Sequence, residues 1–130
     1  MILLITTAIL YAIVRAKHDN YLNESYGNWK PWAFIEGGLI AISLSLAVGT
    51  GLLDYLFLPV IFAMSFWIVF DMACGLFRVG KLFYFGSGEF DQKMRRISGH
   101  PAALFAGKVI VMIVLVGAYY SLQKAMLNIK

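Results

Sequence analysis

The sequence predicts an all-α integral membrane bundle of four transmembrane helices with a short amphipathic surface helix, in one domain covering residues 1–130. Three observations predict it. Hydrophobic residues make up 61% of the 130 and charged residues only 14%, with a mean hydropathy of +0.77. Soluble domains carry about a quarter charged residues, so this chain has too few to cover a water-facing surface. The apolar residues gather in four runs without period-2 alternation, and lipid admits only helices or closed barrels as spanning structures. The basic residues gather between those runs.

Each element follows from its own stretch. The first run, Met1 to about Val14, is shorter than the roughly 20 residues that cross a bilayer core. It reaches a span over 1–16 if Arg15 and Lys17 snorkel. No Lys or Arg precedes it, so it lacks the basic start of a cleavable signal peptide. The second and third runs predict spans over 32–53 and 55–77, joined by a tight turn around Asp54. The fourth predicts a span over 102–122. Pro31 and Pro101 stand before the second and fourth runs, where a missing N–H costs nothing. Pro59 is read as lying in the first turn or so of the third helix, which is tolerable. Tyr21, Tyr26, Trp29 and Trp32 surround the first connection, and Leu82-Phe83-Tyr84-Phe85 opens the second, as expected of an interfacial aromatic belt. Residues 90–97 place Phe90, Met94 and Ile97 on one helical face, with Asp91, Lys93, Arg95 and Arg96 around the rest. This is a surface helix whose basic residues Lys93, Arg95 and Arg96 face an anionic leaflet.

Charge sets the orientation. Arg15, Lys17, Lys30, Arg78, Lys81, Lys93, Arg95 and Arg96 fall in the two long connections, whereas the tail has only Lys124 and Lys130. Eight against two puts both long connections in the cytoplasm and both termini outside. The net charge of +4 forms no continuous groove, so nucleic acid is not an expected partner; the bilayer is. Cys74 is the sole cysteine, so no intrachain disulfide forms. The chain lacks a Walker loop, a nucleophile elbow and a dinucleotide fingerprint.

Glu36 and Asp71 lie inside apolar runs, where a charge costs about 2.5–3.5 kcal/mol at mid-span and is normally paired, hydrated or functional. Helical rise brings Glu36, Asp71, Arg78 and Lys108 into the cytoplasmic half of the membrane. Three readings stay open. Lys108 and Arg78 neutralise Glu36 and Asp71, holding the bundle together. Alternatively His18, Asp19, Glu36, Asp71, Asp91 and His100 surround a divalent metal such as zinc, manganese or iron, although they lack a diagnostic spacing. Otherwise no cofactor is expected. In the third reading, carboxylates with Ser43, Ser45 and Thr50 line a wet path through an oligomer. Gly37, Ala41, Ser45 and Gly49 repeat every fourth residue, a small-residue ridge that lets helices approach closely, within the chain or between subunits. Ala103 and Gly107 make a shorter one.

The run from Asp71 through Arg78, Gly80, Tyr84 and Gly86 to Asp91, with His18 and Glu36 upstream, resembles uncharacterised small membrane proteins encoded by bacteriophages and related bacterial elements. The resemblance covers about half the chain and departs from the family at Cys74-Gly75, where an Asn is expected. It implies a phage or host membrane context and no activity. The expected function is thus a non-enzymatic integral membrane protein packing into a membrane assembly, with copies of itself or another membrane or capsid protein as partners. The alternatives are a holin-like or ion-conducting protein and a metal-binding membrane enzyme or carrier.

Overall fold

Proline and glycine punctuate this chain where helices begin and end. The computed structural model describes residues 1–21, 31–84 and 89–128. Among the described residues there are five helices and no strand: α1 (Ile2–Tyr21), α2 (Pro31–Val48), α3 (Leu52–Val79), α4 (Glu89–Ser98) and α5 (Pro101–Asn128). Pro31 and Pro101 are the first residues of α2 and α5. Gly80 and Gly99 end α3 and α4 with φ of 67° and 68°, a left-handed conformation that a Cβ disfavours. Their N–H groups return to Leu76 O at 3.1 Å and Arg95 O at 2.9 Å. His100 then caps α5, its Nδ1 accepting the Ala102 N–H at 3.1 Å.

Several boundaries differ from expectation, each for a physical reason. α1 runs on to Tyr21, past residue 16, because Arg15 and Asp19 pair one turn apart at 3.3 Å and support a further turn. The turn between α2 and α3 falls on residues 49–51, not around Asp54. Gly49-Thr50-Gly51 breaks the helix, and Asp54 is the third residue of α3, its carboxylate accepting the Thr50 N–H at 2.7 Å. Pro59 lies eight residues into α3 rather than in its first turn, so the Tyr55 carbonyl receives no helical N–H there. Two helices, α3 and α5, are long and apolar enough to cross a membrane. α1 carries Arg15, Lys17 and Asp19 in its last turns, and the apolar stretch of α2, Ile35–Val48, is shorter. Tyr26, Trp29, Lys30, Gly86 and the side chains of Tyr21, Trp32, Phe90 and Asp91 lie outside the described residues.

α3 is the central helix, packing on α1, α2 and α5; α4 packs on α5. Leu4, Ala8, Ala12 and Ala16 of α1 are all fully buried. Their four-residue spacing makes a ridge of small side chains on which α3 can lie close. Leu4 and Ala8 share a cluster with Leu58, Ile61 and Phe62 from the start of α3, and Ala16 joins Ala73 and Cys74 near its end. α1 and α3 therefore run parallel. Ala41 and Tyr119, from the later halves of α2 and α5, join the first cluster, so those two helices run antiparallel to α3. The ends of α1 and α3 and the starts of α2 and α5 consequently lie together at one end. Met1, the 49–51 turn and the close of α5 lie at the other.

Beyond α3 the chain doubles back tightly. Lys81 donates its N–H to Gly75 O at 3.3 Å, and a Cβ on Gly75 would stand 2.4 Å from the Lys81 carbonyl oxygen. Phe83 then packs on Phe105 of α5, with ring centroids 5.1 Å apart.

Candidate functional site

Among the described residues, three groups of polar side chains link the helices of this apolar bundle. In the first, Trp67 and Asp71 stand one turn apart on α3 and face Lys108 of α5. Lys108 Nζ donates to Asp71 Oδ2 and lies 4.1 Å from the centroid of the Trp67 ring. The Lys108 side chain is 6% exposed, against 42% for Asp71. The ammonium is thus held between a carboxylate and an aromatic face, both of which offset its desolvation. Beside the pair is a cavity of about 20 Å³, walled by Ile68, Leu82, Phe83, Leu104 and Phe105. That is room for about one water molecule.

The second group joins α1 to α2 at the same end of the bundle. Arg15 lies 3.3 Å from Asp19 and 3.5 Å from Glu36, and His18 Nδ1 is 3.6 Å from Asp19. Glu36 therefore pairs with Arg15, which lay outside the group of Lys108 and Arg78 expected from the sequence to neutralise it. The continuation of α1 past residue 16 is what puts Asp19 one turn beyond Arg15, where it shares the guanidinium with Glu36. Arg78 is partly buried in the last turn of α3.

The third group, at the opposite end, was not anticipated. Asp54 is buried, and its two oxygens accept four hydrogen bonds from described residues. Thr50 donates its backbone N–H at 2.7 Å and its hydroxyl at 3.1 Å. Tyr119 donates its hydroxyl at 2.7 Å and Gln123 its amide at 3.2 Å. Gln123 also donates to the Tyr119 oxygen at 2.7 Å. One carboxylate thereby ties the α2–α3 turn to α5. A carboxylate three residues into a helix reaching back to an N–H is the logic of a capping box. Thr50 precedes Asp54 by four residues rather than three, so the pattern escapes a spacing rule. Tyr119 and Gln123 are also four apart, which puts both on one face of α5.

The remaining candidates are spread along the bundle. His18 sits beside Asp19, whereas His100 is used as the cap of α5. Among the described residues, no three or more His, Cys, Asp or Glu side chains converge as a metal-ligand group. The Asp91 side chain lies outside that set. On α2, Ala41 and Ser45 are buried, and the Ser45 hydroxyl donates to Ala41 O at 2.7 Å. A Cβ on Gly37 would lie 3.6 Å from the Tyr11 ring, and one on Gly49 would meet Ser45 O at 2.5 Å. The ridge Gly37–Ala41–Ser45–Gly49 is therefore turned toward its own chain. Of the residues expected along a wet path, Glu36, Ser43 and Thr50 are exposed and Ser45 is buried. Lys93, Arg95 and Arg96 are exposed on α4. No family model, curated protein or solved structure matches the chain.

Proposed function

We propose that the chain is a multi-pass integral membrane protein in which α1, α2, α3 and α5 all span, with the long connections cytoplasmic and both termini outside. Its role is non-enzymatic: it packs into a membrane assembly of a phage virion or an infected cell, beside copies of itself or another membrane or capsid protein. The observation that carries this reading is the apolar outer surface of the bundle, which stands beside buried polar side chains. Asp19, Ser45, Asp54, Ser65 and Lys108 are buried, while Leu39, Leu46, Ile110, Ile113 and Val114 are uncovered. Only 11% of the most apolar stretch of α5 is buried. A surface of that kind is costly in water and ordinary against lipid tails. The alternation of helix direction supports it too, since it gathers the basic connections at one end, where the positive-inside rule needs them.

Cysteine labelling tests the arrangement. In a Cys74→Ala background, Gly51→Cys and Ala125→Cys should react with an impermeant thiol reagent added outside intact cells. Gln92→Cys should react only after the cells are opened. Labelling of Gln92→Cys from outside would reverse or dismantle the topology.

A further inference from the structure

The end of the bundle that carries the basic connections presents a surface not explained by packing. Within residues 78–100 five basic residues (Arg78, Lys81, Lys93, Arg95, Arg96) stand against Glu89 and Asp91. Lys81, Lys93, Arg95 and Arg96 are all exposed. Uncovered apolar side chains stand among them: Leu82, Phe83 and Tyr84 just after α3, and Ile97 on α4 at 78% exposure. The sequence places Met94 and Ile97 on one face, and in the structure the two differ in burial. Met94 is half-buried, on the element that packs against α5, and Ile97 is left out. At about 100° per residue, Ile97 lies about 40° round the helix from Lys93 and about 100° from Arg96. An isoleucine that its own bundle leaves uncovered, with both cations on its side away from Met94, matches the interfacial pattern of an apolar residue beside headgroup-binding charges. The left-handed turn at Gly99 and the His100 cap fix where α4 leaves α5, so this isoleucine has a defined place at the bundle's end.

Resting on the membrane reading above, we propose that α4 and residues 81–84 form one interfacial platform that docks onto anionic phospholipid of the same leaflet. Ile97 enters the headgroup–acyl boundary, and Lys93, Arg95 and Arg96 bind the phosphates. Lipid is the occupant because the patch combines net positive charge with isolated apolar side chains, and because it is continuous with the uncovered apolar sides of α3 and α5. Each basic residue contributes about fivefold to the docking equilibrium near an anionic surface.

The test uses the full chain with Cys74→Ala, spin-labelled at Ile97→Cys. It is reconstituted in phosphatidylcholine vesicles with or without phosphatidylglycerol. With phosphatidylglycerol, the label should collide mainly with lipid-dissolved oxygen. Without it, or with Lys93, Arg95 and Arg96 all changed to Gln, the label should collide mainly with a water-soluble nickel chelate. The docking equilibrium should fall about a hundredfold when all three are changed. A label in water in both lipids overturns the platform. A label equally deep in both overturns its preference for anionic lipid. A second label at Ile113→Cys separates the premises. It should report lipid in every sample, and finding it in water would defeat the membrane reading itself.

Discussion

Asp54→Ala is expected to destabilise the detergent-purified protein by about 3 kcal/mol, the largest loss for a single change at the end of the bundle that holds the 49–51 turn. Hydrogen bonds to a charged acceptor contribute about 1.5–3 kcal/mol each, and deleting the acceptor leaves its donors with desolvation unrepaid. Tyr119 and Gln123 lose their shared oxygen, and the 49–51 turn loses the contact holding Thr50. Asp54→Asn keeps an acceptor and a similar shape but places an amide against N–H donors, so about half the loss should remain. Tyr119→Phe alone removes one donor and should cost about 1 kcal/mol. Combined with Asp54→Ala it should add little, since both act through one network. Thermal unfolding followed by circular dichroism gives all four values.

The pair at the other end should show a marked asymmetry. Asp71→Leu leaves Lys108 buried with only the Trp67 ring to offset its charge, at an expected cost of about 3 kcal/mol. Lys108→Met leaves Asp71, which is partly open to its surroundings, and should cost about 1–2 kcal/mol. The double change Asp71→Leu with Lys108→Met should recover most of the larger loss, because joint replacement of a buried pair by apolar side chains is often close to neutral. Strictly additive losses would mean that the two side chains do not depend on one another. Recovery with Glu36→Leu in place of Asp71→Leu would point to the other pairing the sequence allowed, Glu36 with Lys108, rather than the observed one.

The helical class and the helix starts at Pro31 and Pro101 were legible because composition and proline act locally. The depth match between Asp71 and Lys108 was legible as well, since helical rise is fixed. The α2–α3 junction was misplaced because Leu52 and Leu53 continue the apolar run, which made Asp54 look like the break. Whether an acid ends one helix or opens the next depends on which N–H it meets, here that of Thr50, and periodicity does not carry that information. The partner of Glu36 was missed for a related reason. Arg15 was read as a snorkelling charge at the end of the first span and counted with the connection, so it was not weighed as a partner for Glu36. The four-residue ridge Leu4–Ala8–Ala12–Ala16 was written in the sequence as plainly as the one on α2. A tyrosine and threonines between its members hid it. Which of the two ridges would meet the central helix more fully is decided by tertiary packing.

The proposal that lipid is the solvent of this bundle rests on its uncovered apolar side chains, and membrane retention tests it most directly. Membranes from cells expressing the chain are washed with alkaline carbonate and then with detergent. A bundle that exposes Leu39, Leu46, Ile110, Ile113 and Val114 to acyl chains should stay in the pellet through the carbonate wash and enter solution only with detergent. Release by carbonate, as a folded and monodisperse protein without detergent, would contradict it.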